Sequence, residues 1–302
     1  LVSPYTQQWN LGIEHEIASG WILSVDYIGS HAVKLERPDD LNAPAPFNRT
    51  AQGQTRSVAA ANATRPLQPA GICTTASANF NPASGNCFNN YRQVLAIVNL
   101  GAAYYNGLQF KLNKHFSNRL SLLLTYTYSH ALDTVEPDAA NQNANDWNFL
   151  GLQEKATSVL DQRHRAALSG WYDLPWGFTF ASNTTLASGL PYNIATGTDN
   201  NGDGTNSDRP ILNGFVIPRN FGRGTPTYDV SVSLQKSFQL TERWKVSLRS
   251  EAFNLFNHSN FYGRNGTFGN NAAPLGSLGA AVGGISNTGP GRQLQFMARF
   301  QF

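Results

Sequence analysis

The sequence is poor in charge. Of its 302 residues 14% are Asp, Glu, Lys or Arg, and the formal net charge is +3. That balance lacks the dense basic patch of nucleic-acid binding, so no such partner is expected. Long apolar runs are missing too. No stretch of about 18 apolar residues occurs, which excludes a transmembrane helix. Leu1 is not followed by a basic start and an apolar core, so it does not read as the start of a secretory precursor. Sulfur is scarce, with one Met and two Cys. Cys73 and Cys87 lie among Asn, Ser, Ala and Pro, with no His or further Cys at metal-ligand spacing. A disulfide closing a loop outside the cytoplasm fits them best. By loop entropy it would be worth about 3 kcal/mol. Two unpaired thiols are the alternative. There is no HExxH, no GxSxG and no phosphate loop. No enzymatic activity is expected.

What the sequence has is alternation. In SPYTQQWNLGIEHEI, Trp9, Leu11, Ile13 and Ile17 share one face, and Gln8, Asn10, Glu14 and Glu16 the other. WILSVDYIGS sets Trp21, Leu23, Val25 and Tyr27 against Ser24 and Asp26. YYNGLQFKLNKHF, RLSLLLTYTYSH, RHRAALSGWYDL, FTFASNTTLAS, YDVSVSLQKSF and RWKVSLRSEAFNLF follow. The last is GRQLQFMARFQF, with Leu294, Phe296, Ala298, Phe300 and Phe302 on one face. Period-2 patterning at these lengths predicts strands. Nine are expected, each near the ~9–11 residues that cross a bilayer at a tilt.

The connections alternate short and long. Ala18–Gly20, Ser117–Asn118, Pro175–Gly177 and Gln239–Glu242 are short. Ser30–Ala103, Leu132–Gln162, Gly189–Pro226 and Asn257–Gly291 are long, polar and without apolar period. Long structureless loops are uncommon in soluble domains. Outer-membrane barrels combine apolar-out, polar-in strands with short periplasmic turns and long outer loops. The polar face carries Glu14, Glu16, Asp26, Lys111, Asp229, Lys245, Arg249, Glu251 and Arg299. The apolar face carries charge only at His15, Lys114 and Lys236, near strand ends. A mid-membrane Lys or Arg there would cost roughly 2–4 kcal/mol. Trp21, Trp176 and Trp244 mark an inner aromatic belt, and Tyr5, Tyr27, Tyr104 and Tyr128 an outer one. A soluble β sandwich also alternates, but it does not account for the loop rhythm or the two belts. The expected fold is therefore all-β: an antiparallel transmembrane β-barrel segment of about nine strands.

PYTQQWNLGIEHEI with LSVDYIGSHAVKL resembles a strand pair of TonB-dependent outer-membrane receptors of the carboxypeptidase-regulatory-like (Oar-like) type. YNGLQFKLNKHF, LLLTYTYSHALD, DQRHRAALSGWYDLPWG, SGLPYNIATGTDNNGDGTNSDRP and EAFNLFNHSNF resemble successive later segments of those barrels. The resemblance runs from about Pro4 to Phe302. It implies a barrel of about 22 strands with a plug in its lumen. No plug precedes the strands here, so residues 1–302 are expected to be the C-terminal portion of such a barrel. It also implies uptake of a bulky nutrient at the cell outer membrane, with TonB acting through the missing plug. Phe296, Phe300 and Phe302 resemble the terminal signal read by the barrel assembly machinery. Outer-membrane lipid is the remaining expected partner. A passive porin-like channel and a surface adhesin or soluble β domain are the alternatives.

The sharpest local motif is DNNGDGTNSDRP. Asp199, Asn201 and Asp203, then Gly204, match the opening of a calcium loop. Pro210 stands where the closing Glu belongs, and Asp208 is the nearest substitute. An Asn/Gly/Asp turn cluster accounts for the same residues, and the incomplete ligand set favours it. Calcium is thus the one candidate cofactor. His31, His130, His164 and His258 fall near outward strand ends. They are read as interface side chains, with a metal or substrate entrance as the alternative. Arg163, Arg165, Arg249 and Glu251 are expected to form a charge network on the lumen side.

Overall fold

The computed structural model describes residues 2–51, 53–66, 80–81, 86–87, 94–135, 155–264, 266–267 and 285–302. Cys73 of the expected Cys73–Cys87 bridge lies outside them. No helix among the described residues is long and apolar enough to cross a membrane.

Nine long strands form one antiparallel sheet in which each strand pairs with the next in the chain. They are β1 (Tyr5–Ala18), β2 (Trp21–Asp40), β3 (Leu95–Ser117) and β4 (Leu120–Asp133). β5 (His164–Asp173), β6 (Phe178–Ala187), β7 (Thr227–Gln239), β8 (Lys245–Phe253) and β9 (Gln293–Gln301) complete it. A tenth short strand, Ala156–Thr157, pairs with the outer end of β4. Among the described residues β1 and β9 each have one neighbour, so the sheet is open.

The tight turns follow from their residues. Asn118 and Arg119 both take positive φ, 51° and 69°. Two left-handed residues in a two-residue hairpin match the twist of the strands they join. The turn is thus Asn118–Arg119, one residue later than expected. At Gly29 an added Cβ would lie 2.1 Å from the Trp9 indole nitrogen. The ring therefore lies flat across the neighbouring strand and covers the missing side chain.

Leu11, Leu108, Phe110, Leu124, Leu248 and Phe296 stay exposed on the apolar face. In a soluble sheet they would be a core. Here they form a lipid-facing wall. The two expected lysines on that face sit at its inner end and are covered by rings. Lys114 is 4% exposed, donates to the Ser19 carbonyl and the Ser117 hydroxyl, and lies 5.5 Å from the Trp21 ring centre. Lys236 lies 4.5 Å from the Phe178 ring centre and 5.0 Å from that of Phe238.

One expected boundary is corrected. Both ends of Ser30–Ala103 are strand, because β2 and β3 remain paired out to Asp40 and Leu95. Beyond Val33, the last β2 residue paired with β1, β2 has β3 as its only long neighbour among the described residues. That single-sided stretch is where Pro38 is tolerated, since proline cannot donate to a second ladder.

Candidate functional site

The outer ends of the strands carry loops that pack on one another, and their contacts are polar. The loop after β6 (188–226) touches both the loop after β2 (41–94) and the segment joining β4 to β5 (134–163).

Its Asp199–Asp208 stretch is wrapped around its own carboxylates. Asp199 accepts the N–H groups of Gly202 (2.7 Å), Asp203 (3.2 Å) and Gly204 (2.9 Å). One Asp203 oxygen accepts from the Thr205 N–H and hydroxyl, both at 2.8 Å, and the other from the Asn201 amide at 2.7 Å. Asp208 accepts the Asn200 and Asn201 N–H groups at 2.5 and 2.9 Å. The structure thus brings Asp199, Asn201, Asp203 and Asp208 into one segment, with oxygens already engaged by N–H and O–H donors. Among the described residues no group of three His, Cys, Asp or Glu is arranged to hold a metal ion.

Three arginines of the first loop clamp this segment. Arg65 pairs with Asp40 at 3.0 Å and donates to the carbonyls of Asn42 (2.7 Å) and Asp203 (3.1 Å). Arg56 donates to the carbonyls of Asn201 and Ala45, each at 2.7 Å. Arg49 donates to the Arg209 carbonyl at 2.7 Å and lies 4.0 Å from Asp208. A one-turn helix, α1 (Val58–Asn62), capped by the Ser57 hydroxyl, holds Arg56 and Arg65 on either side. Gly202 has φ +76°, and a Cβ there would sit 2.7 Å from the Arg56 and Ser57 carbonyl oxygens. No other residue type fits that approach. Burial pushes the Asp208 carboxyl up to about 6, against the pull of Arg49 and of the two N–H groups. Burial likewise raises Asp199 and lowers Arg56.

The other side of the same loop is pinned to the β4–β5 segment. Arg219 pairs with Asp133 and donates to its carbonyl at 2.9 Å. Asn220 donates to the Thr157 carbonyl at 2.9 Å. Asp161 is the hub. Its fully buried carboxylate accepts from Ala131 N–H (2.7 Å), Arg223 (2.7 Å), Arg163 (2.8 Å) and His130 Nδ1 (3.1 Å). Arg163 also reaches His130 Nε2 at 3.1 Å. Arginine only donates, so Nε2 accepts and the proton sits on Nδ1. Burial alone would raise Asp161, but the Ala131 N–H, Arg223, Arg163 and His130 together hold it down at about 2.

The four outward histidines each have a partner of their own. His31 stacks on Tyr104 at 4.3 Å, and His164 Nδ1 meets the Tyr126 hydroxyl at 2.8 Å. His130 belongs to Asp161, and His258 meets Asn260 at 3.0 Å and the Tyr228 ring edge. The expected Arg163, Arg165, Arg249 and Glu251 network splits in three. Arg163 serves Asp161, Arg165 donates to Gln162 at 3.2 Å, and Arg249 pairs with Glu251 at 2.5 Å. Register explains the separation, since β5 and β8 lie three strands apart. Phe296, Phe300 and Phe302 share one exposed face, and Phe302 packs against Trp244 at 5.5 Å. Sequence reasoning missed Arg49, Arg56, Arg65, Asp161, Arg219 and Arg223. Their partners are mostly backbone carbonyls or residues far along the chain, which leave no local pattern.

The family model of the outer membrane beta barrel domain matches residues 1–216 and 214–295. No curated protein matches the chain. Among solved structures, the outer membrane transporter YddB from Escherichia coli superposes with a TM-score of 0.50 at 10% identity, covering 99% of this chain and 32% of that one. The FpvAI–pyocin S2 complex gives a TM-score of 0.50 at 12% identity, covering 99% and 27%. A mutant ferric enterobactin receptor, PfeA from Pseudomonas aeruginosa, gives 0.48 at 13% identity, covering 99% and 31%. The chain spans about a third of the length of these structures.

Proposed function

The chain belongs to the outer membrane beta barrel domain family, and on that premise we propose that it is part of the wall and outer loops of a TonB-dependent receptor that takes up a bulky nutrient. The wall is an outer-membrane structure, with an apolar face toward lipid and a polar face toward a lumen. The observation that carries the reading is the loop assembly. Loops from different hairpins are fastened together by arginine–carboxylate and arginine–carbonyl contacts above an open sheet. Loops fastened to one another give a receptor a preorganised surface, which lowers the ordering cost of binding a large ligand. The open edges of β1 and β9 would each leave backbone groups unpaired in lipid, at several kcal/mol apiece. The wall is therefore read as closing with further strands.

The test uses the full-length receptor in its own cells and in planar bilayers. Growth on a panel of ferric chelates, cobalamin, oligosaccharides and peptides should depend on the receptor and on TonB for at least one nutrient. The purified receptor should show no steady ion conductance. TonB-independent growth together with an open, ohmic conductance would replace this reading with a porin-like channel.

A further inference from the structure

The uptake reading makes no use of the outer rim of the lipid-facing side. Two lysines stand there. β2 shifts register between Val33 and Leu35, and Lys34 in the bulge takes φ 58°. Bulges re-aim side chains, and this one sets the Lys34 Nζ 5.3 Å from the Tyr5 ring centre. The Asn99 amide holds the bulge by donating to the Lys34 carbonyl at 3.0 Å. Lys155 stands just before the short strand that pairs with β4, and its Nζ lies 3.8 Å from the Tyr104 ring centre. Tyr104 is itself stacked on His31, its partner in register.

The three rings lie on one surface. Tyr5 is continuous along β1 with Trp9, Leu11 and Ile13, and Tyr104 along β3 with Leu108 and Phe110. The apolar wall runs from the rings toward the inner turns, and the two ammonium groups sit against the ring faces. Both lysines are exposed. Ion pairs recorded among the described residues use arginine or histidine, never lysine. The inner-rim lysines differ, because Lys114 is buried and bonded to Ser19 and Ser117. An ammonium seated over a ring at the edge of an acyl-chain surface stands at headgroup height. There it attracts phosphate as a point charge.

We propose that Lys34 and Lys155, seated on Tyr5 and Tyr104 at the outer end of the lipid-facing wall, form a docking surface for the phosphate-bearing headgroup of an outer-leaflet lipid. Charge complementarity selects this occupant: two cations with no carboxylate partner among the described residues adjoin a surface that meets acyl chains. The bulge that turns Lys34 toward Tyr5 is thereby given a purpose.

The full-length receptor, purified from outer membranes and exchanged into detergent, tests it. It is loaded with phosphorylated lipid A or with lipid A stripped of phosphate, and retained lipid is measured by native mass spectrometry. The native protein should retain the phosphorylated form about tenfold better than the K34Q/K155Q variant does. Neither protein should favour the stripped form, and inorganic phosphate should not displace the lipid. The K34R/K155R variant should behave as the native protein, which covers the case in which the glutamine variant fails to fold. TonB-dependent growth should be unchanged in the arginine variant, so failure here is distinct from failure of the uptake reading. Equal retention of both lipids, equal retention by the glutamine variant, or displacement by free phosphate overturns the proposal.

Discussion

The wall and the loop assembly solve opposite problems with the same chain. The wall keeps its apolar side chains exposed and is held by backbone ladders between consecutive strands. The loops bury their polar side chains and are held by them. The largest fully buried side chains are Asn42, Asn200, Asp161 and Asp208, and all four lie in the loops. Among the described residues the one apolar cluster of buried residues is also there, a small one around Ile194 and Ile217. In lipid the ladder is compulsory, because no water competes for the backbone. In the aqueous layer the loops have too little apolar surface to collapse. Their order rests on pairing the charges they bury.

That contrast sets distinct ways to damage each half. The largest effect is expected at Asp161. Asp161→Ala strands Arg163, Arg223 and the Ala131 N–H, and breaking such a buried pair costs roughly 3–5 kcal/mol. Amide exchange should rise sharply across 155–163 and 219–223 while the strands stay protected. Unfolding of the wall at the same denaturant concentration as the loops would erase the distinction between them. Leu124→Arg places a charge in the middle of β4 on the lipid side. It should cost roughly 2–4 kcal/mol in assembly, read as lost heat-modifiability on gels, without loosening loops in the molecules that do insert. Gly202→Ala is milder. The forbidden Cβ and the positive φ should cost about 1–2 kcal/mol, confined to the contact between the first and third outer loops. Protease cleavage near 200 is the measurement.

The smallest effect is a redistribution with pH. Asp208 is raised to about 6 from 3.8, so its ionised form opposes the folded loop at neutral pH. As pH falls through about 6 the group protonates in place, and the contact with the first loop should tighten. Asp161 is lowered to about 2, so its contribution is complete above 3.8 and is lost as pH falls through about 2. Between pH 7 and 5, protection of amides around 200, measured relative to the intrinsic exchange rate at each pH, should rise while that around 223 does not change. Falling protection around 200 over that range would reverse the sign assigned to Asp208.

Much of the wall was legible in the sequence, and the reason is local. Leu120, Leu122, Leu124, Tyr126 and Tyr128 announce their face by spacing two, and Asn118 with Arg119 sits where the pattern breaks. The loop contacts were not legible. Arg65 meets the Asp203 carbonyl 138 residues away, and Arg49 meets the Arg209 carbonyl 160 residues away. A carbonyl belongs to every residue, so nothing in the sequence marks it as a partner. The Asp199–Asp208 motif was visible, but its oxygens serve the backbone that encloses them. Asp161, two residues before Arg163 at the head of β5, and Arg65, three after Asn62, did have partners near enough to be guessed.

The overhang of β2 and β3 has a consequence for how such a surface varies. Past Val33 the ladder continues through Arg37, Pro38, Asp39 and Asp40 against Val98, Ile97, Ala96 and Leu95. Each paired residue lifts the first loop by about 3.3 Å. Removing one residue from each strand would turn Asp40 to the opposite face and detach Arg65. Removing two would preserve every facing and lower the loop by about 6.6 Å. The height of the canopy above the membrane is thus a quantity that changes in steps of two residues, free of the wall beneath it.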